Sequence, residues 1–226
     1  MSRFTDCLLF VSAYEQRAYR RKIGVPPIPN MLVYNGLLAA EFEPVPAAPD
    51  AADLLYIGMM RDLKGPDLFL DALARAETRL GRPLAAVMVG AGDELPRYRA
   101  QAQSLGLAGR VRFLPPMPVR EAFALGRLVV VPSRAEAMPY IVLEALAAGK
   151  PMIATAVGGI PEIFGAGSPA LARPRAGEIG DGMAVALADL DAHAALMPGA
   201  ADLKARFGAE AMAAEIERAY FIALER

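Results

Sequence analysis

The chain has no tryptophan, one cysteine and one histidine among its 226 residues, and aromatic side chains make up only 7% of it. Cys7 alone excludes a disulfide framework within the chain and fits a reducing compartment. One cysteine and one histidine, His193, also exclude a His/Cys zinc centre. They leave no credible Ser–His–Asp arrangement either. A net charge of −1 gives no electrostatic footprint for nucleic acid. No apolar run approaches the roughly 18 residues of a membrane helix. The amino-terminal patch of about six apolar residues lacks the small-residue cleavage site of a signal peptide. These absences together point to a cytoplasmic protein.

What is present is core-forming mass. Hydrophobic residues make up 55% of the chain, mostly Ala, Leu, Val and Met, a mixture that favours helices packed on a sheet. The length suits one good-sized domain or one and a half small ones.

Apolar runs alternate with helical patterns. Residues 7–12 ("CLLFVS") read as a strand, 13–24 as a helix closed by Gly24, and 31–36 as a short extended segment. The proline-bearing stretch 37–52 reads as a linker. A second series then follows. Strands are expected at 53–58, 83–90, 110–114, 127–133 and 151–156, and helices at 65–80, 93–106, 119–126, 139–149 and 159–164. The tail from residue 178 reads as helices, the last over 209–226. Continuous apolar strands imply burial on both faces. Their alternation with helices implies right-handed βαβ units and a doubly wound parallel sheet of the Rossmann-like α/β class. Such sheets bind ligands beyond the carboxyl ends of their strands.

The loops at those ends hold the candidate residues. In "GMMRDLKG" (58–65), Arg61 and Lys64 stand between a strand end and a helix start, where two cations suit an anion such as a diphosphate; the alternative is a pair of solvated charges. "GAGDE" (90–94) fails as a dinucleotide fingerprint because Leu95 stands where the third glycine would be. Gly90 and Gly92 read as turn glycines that allow close backbone approach. "LPPMP" (114–118) is stiff and apolar, either a plain turn or one wall for a planar base. The last feature is "EAMPYIVLE" (136–144). Pro139 suits the first turn of a helix, whose free amides near Met138, Tyr140 and Ile141 favour an anion. Glu144 falls on an otherwise apolar helix, where an ionised carboxylate needs hydrogen-bond donors. Vicinal sugar hydroxyls would supply them, as would a salt bridge or plain exposure. "DLD" (189–191) lies in the helical tail and reads as surface, with His193 solvated beside it. The basic run 17–22 reads as a solvated helix face, with weak attraction to anionic lipid as the lesser alternative.

Glu136 and Glu144, with "PSR" before them and "EALAAGKPMIATAVGGIPEI" around and after, form a Glu-x7-Glu motif. It closely resembles the donor-binding half of the family 4 retaining glycosyltransferases of GT-B fold. "YIGMMRDLKGPDLFLDALA" and "VMVGAGDELPRYRAQAQSLGLAGRVRFLPPMP" resemble the preceding units of the same half. The resemblance implies a transferase that moves a sugar from a nucleotide-diphosphate donor to a saccharide or lipid-linked acceptor. Surface polysaccharide or glycolipid synthesis is the implied setting, without metal or other cofactor. Glu144 would hold the ribose hydroxyls, and Glu136 the transferred sugar near the reacting centre. Arg61 and Lys64 would clamp the diphosphate. The backbone at Ala137, Met138, Pro139, Tyr140 and Ile141 would bind sugar and phosphate. Gly58, Gly90, Leu114 and Met117 would line the nucleotide, the last two at the base. Arg61 stands two positions beyond the usual place of the family's arginine, which Met59 occupies.

The resemblance also implies an incomplete enzyme. Residues 1–36 resemble the end of an amino-terminal Rossmann-like domain, 37–52 its linker, and 53–208 the donor domain. Residues 209–226 resemble a helix that packs back on the missing part. The chain alone is then expected to be inactive, with exposed apolar surface on its first strand and last helix. The competing reading is a truncated nucleotide-sugar-binding module without turnover. A nucleotide-sugar epimerase or a phosphorylase of the same fold fits the Glu-x7-Glu context less well.

Overall fold

The computed structural model of the chain describes residues 5–165 and 167–224. The last two positions of the expected final helix therefore lie outside the described residues. A small two-stranded parallel sheet opens the chain, with β1 (Leu8–Phe10) and β2 (Asn30–Leu32) joined through α1 (Ala13–Lys22). Ser12 starts that helix by accepting from the Glu15 amide at 3.1 Å, and the Glu15 carboxylate returns a bond to the Val11 amide at 3.0 Å. Arg20, Arg21 and Lys22 occupy its last turn, where cations complement the helix dipole.

The larger sheet has six parallel strands: β3 (Ala52–Ile57), β4 (Ala86–Val89), β5 (Val111–Leu114), β6 (Gly126–Val131), β7 (Met152–Thr155) and β8 (Leu171–Ala172). Their spatial order is β5-β4-β3-β6-β7-β8. This is the doubly wound Rossmann-like arrangement that continuous apolar strands predict. Alternate side chains enter two cores. Leu54 and Tyr56 face α2 (Pro66–Leu80), α3 (Leu95–Ser104) and α7 (Ala176–Ala188), among Phe69, Tyr98 and Met183. Leu55, Val129 and Val131 face α4 (Val119–Phe123), α5 (Tyr140–Ala147), α6 (Ile160–Phe164) and α9 (Ala200–Phe207). The chain ends in α10 (Ala209–Leu224). β8 is a strand that the sequence pattern does not announce.

Three features sharpen the reading of the chain. Segment 37–52 is bonded along its length to the larger unit. Leu37 exchanges backbone bonds with Phe207 and Ala209 at 2.8 Å, and Val45 and Ala48 donate to Ala148 and Ala124 at 2.9 Å. His193, expected to be solvated, is buried on α8 (Leu190–Ala194). Its Nε2 lies 2.9 Å from the Met152 carbonyl, so the ring partners a backbone group at the first residue of β7. Asp189 in the "DLD" run caps α8, accepting from the Ala192 amide.

Glu162 on α6 fastens the small sheet to the large one. Its carboxylate accepts from the Ala13 and Tyr14 amides of α1, at 2.9 and 2.7 Å, and from the Tyr34 hydroxyl at 3.2 Å. Burial, then the charge of Glu162, pushes the Tyr34 phenol up from its ordinary pKa. Arg206 donates to the Glu162 carbonyl. On the other side of this unit, Leu9 of β1 and Tyr220, Phe221 and Leu224 of α10 are exposed. Between them lies a cavity of about 360 Å³ lined by Cys7, Leu9, Ile216 and Tyr220. Among the described residues no helix is long and apolar enough to cross a membrane.

Candidate functional site

The strand order reverses between β3 and β6. Their connections leave for opposite faces, which opens a crevice at the carboxyl end of the sheet. The loops after these two strands meet there. Gly65 has φ +69°, and a Cβ at that position would stand 2.2 Å from the Pro132 carbonyl oxygen. Only glycine allows this approach without strain. Arg134 bolts the same two loops together: its amide donates to Leu63 at 2.9 Å, and its guanidinium to both oxygens of Asp67, at 2.8 and 2.5 Å.

Lys64 and Glu136 face each other across this junction. Lys64 Nζ is 2.6 Å from Glu136 Oε1, which also accepts from Ser133 Oγ at 2.7 Å. The Glu136 side chain is 8% exposed and that of Lys64 24%. The Ser133 carbonyl is held by Thr155 Oγ1 at 2.6 Å, so β7 contributes to the same network. The loop after β7 closes in as well, because Gly158 at φ +62° leaves no space for a Cβ beside the Glu136 carbonyl. Arg61 stands nearby in sequence but is exposed. Its guanidinium has no hydrogen-bond or ion-pair partner among the described residues.

Pro139 caps α5, and no hydrogen bond among the described residues takes the amides of Tyr140 or Ile141. Two free donors with the helix dipole behind them form an anion-favouring end. Asn35 Nδ2 donates to the Met138 carbonyl at 2.8 Å and fixes the loop just before that end. Met138 is buried, whereas Ala137 and Tyr140 are exposed. One turn into α5 the Glu144 carboxylate is half-buried and has no partner among the described residues. Burial first, then the charge of Glu41, raises its pKa above the ordinary carboxylate value.

The amides of Gly58 and Gly90 are taken, donating at 3.0 Å to Val89 and Leu114. These glycines therefore serve close loop packing and offer no free N–H. Gly90 and Leu114 line a cavity of about 200 Å³ with Leu95, Arg99 and Phe113. Met117 packs instead against the core beneath α5. Arg134, Asn35 and Glu162 escaped the sequence reading as site-building residues. The "PSR" that carries Arg134 and the "GGIPEI" that carries Glu162 were the visible signals. No group of three or more His, Cys, Asp or Glu side chains among the described residues is placed to hold a metal ion.

The family model for glycosyl transferases group 1 matches residues 39–197. The chain belongs to this family. The match contains every residue of the crevice described above except Asn35. Two D-inositol 3-phosphate glycosyltransferases are similar to it in sequence. The one from Thermobispora bispora is 33% identical over 98% of this chain and 57% of its own length. The one from Geodermatophilus obscurus is 35% identical over 69% of this chain and 39% of its own. The chain thus spans about half the length of the curated relatives it matches. Its fold is that of the carboxyl-terminal domain of GT-B glycosyltransferases. Anabaena Alr3699/HepE, solved in complex with UDP-glucose, superposes with a TM-score of 0.84 at 22% identity, over 96% of this chain and 64% of that one.

Proposed function

We propose that this group 1 glycosyl transferase chain binds a nucleotide-diphosphate sugar in the β3/β6 crevice and supplies the donor half of a retaining, metal-independent transfer. The observation that carries this reading is the Lys64–Glu136 pair at the meeting of the β3 and β6 loops, followed by α5 with two free amides at its start and the unpartnered Glu144 one turn on. In this reading Lys64 and the unpaired Arg61 neutralise the charge that develops on the leaving diphosphate. The α5 amides hold a phosphate or sugar oxygen. Glu144, short of donors, takes the vicinal ribose hydroxyls, and Glu136 faces the transferred sugar. The cavity beside Gly90 and Leu114 receives the base. The crystallised UDP and UDP-glucose complexes of HepE support a nucleotide-sugar donor. The exposed apolar side chains of β1 and α10 support a covering acceptor-side domain. The acceptor is proposed to be a saccharide or lipid-linked precursor of a surface glycan.

Calorimetric titration with UDP-, GDP- and ADP-sugars tests the reading. Saturable binding of at least one, with release of its sugar only when an acceptor-side domain is supplied, is the expected result. No binding of any of them would remove the donor assignment.

A further inference from the structure

The amino-terminal edge of the larger sheet, opposite the crevice, holds a charged group with no assigned task. Lys150 lies between α5 and β7, its amide bonded to the Ala145 carbonyl at 2.9 Å. The residue is only 3% exposed. Among the described residues its ammonium has no hydrogen-bond or ion-pair partner, and its nitrogen keeps contact with solvent. The other three lysines are placed differently: Lys64 is paired with Glu136, and Lys22 and Lys204 are exposed. An unpartnered ammonium on a largely buried side chain is disfavoured against the neutral amine. Burial alone pulls the Lys150 pKa down to about 8.

Lys150 is not sealed in. It lines a cavity of about 480 Å³, walled by residues 45–49 on one side and by α8 on the other. Arg127, at the start of β6, lines the same cavity and is exposed. Asp191 of α8 is the one acidic residue of the lining. The walls are otherwise Val, Pro, Ala, Gly and Leu. A neutral primary amine at the base of an accessible cavity is a nucleophile. A second cation on the lining favours an anionic reagent.

We propose that Lys150 is an acylation site, in which its amine takes the acyl group of a small acyl phosphate drawn into this cavity by Arg127. The amine nitrogen attacks the carbonyl carbon. A C–N bond forms, the C–O bond to phosphorus is broken, inorganic phosphate leaves and the nitrogen loses its extra proton to water. The product amide is uncharged, so the cost of holding a charge on a largely buried side chain disappears with the reaction.

The test is reaction of the full chain with acetyl phosphate from about pH 6.5 to about pH 10, with acetylation of each of the four lysines followed by peptide mass spectrometry. Near pH 7.5, Lys150 is expected to react about tenfold faster than Lys22 and Lys204, because far more of it is neutral. Its rate should reach half its plateau near pH 8. Arg127→Gln should slow acetylation of Lys150 by acetyl phosphate several-fold without slowing that by uncharged acetic anhydride. Lys150 reacting no faster than the exposed lysines overturns the proposal. Equal rates with and without Arg127 overturn the acyl phosphate as its donor.

Discussion

Lys64 and Glu136, 72 positions apart in the chain, stand with Nζ and Oε1 2.6 Å from each other where the loops of β3 and β6 meet. The pair is largely withdrawn from water, and Glu136 is further fixed by Ser133. In the proposed function an arriving diphosphate would meet a lysine already positioned and partly shielded from solvent screening, and would compete with one carboxylate for it.

Removal of that lysine should weaken the donor complex directly. Lys64→Ala and Glu144→Ala are each expected to reduce nucleotide-sugar affinity by about 1–3 kcal/mol, the range for lost hydrogen bonds to charged groups. Isothermal titration measures it. Wild-type affinity in both variants would sink the site assignment.

Glu144 predicts a dependence of stability on pH. Its folded pKa is raised, chiefly by burial, so the folded chain holds this proton longer than the unfolded one. The stability it contributes is fully present below the unfolded carboxyl pKa of about 4.3 and is lost as pH rises through the folded value. Glu144→Gln removes that loss. The urea midpoint of the variant should gain on wild type between about pH 4 and about pH 7. A gap that stays constant with pH would show that the carboxyl is not perturbed.

Two glycines with nearly the same backbone separate strain from crowding. Gly65 and Gly81 have φ +69° and +67°, but only Gly65 has a neighbour, the Pro132 carbonyl, in the space of a Cβ. Gly81→Ala should cost about 1–2 kcal/mol of stability from the left-handed backbone alone. Gly65→Ala should cost about 1–3 kcal/mol more from crowding and should also weaken donor binding, because it pushes Lys64 away from Glu136. Equal losses in urea denaturation would contradict the loop contact.

Asn35 acts on the site through Met138. Asn35→Ala loses one hydrogen bond, worth about 0.5–1.5 kcal/mol, and frees the loop ahead of α5. Asn35→Asp sets a carboxylate against the Met138 carbonyl and should be worse than alanine for both stability and donor affinity. Denaturation and titration of the two variants decide it; aspartate performing as well as asparagine would exclude the bond.

The strands were readable because a parallel sheet covered on both faces demands unbroken apolar runs, and β3, β4, β6 and β7 supply them. β8 offers only Leu171 and Ala172, too little to register against its surroundings. Lys64, Glu136 and Glu144 were visible one by one as charged residues at strand ends or on an apolar helix. That Lys64 touches Glu136 was not visible, because the contact depends on a strand order that local pattern does not encode. His193 misled for the same reason: its partner carbonyl at Met152 lies 41 positions away. Asn35 and Glu162 act on backbone atoms 103 and up to 149 positions distant; Asn35 carries no local signature, and the "GGIPEI" around Glu162 does not show which atoms it reaches.

The bonds that Glu162 makes to the start of α1 decide where this protein can bend. Charged hydrogen bonds of this kind contribute about 1.5–3 kcal/mol each, and segment 37–52 is itself tied to α4, α5 and α9. A rotation at that segment would break both sets together. The stretch that looks like a joint in the sequence is mortar in the fold. The first two strands travel with the larger sheet as one block, and any pivot has to lie at the outer surface of that block, beyond β1 and α10.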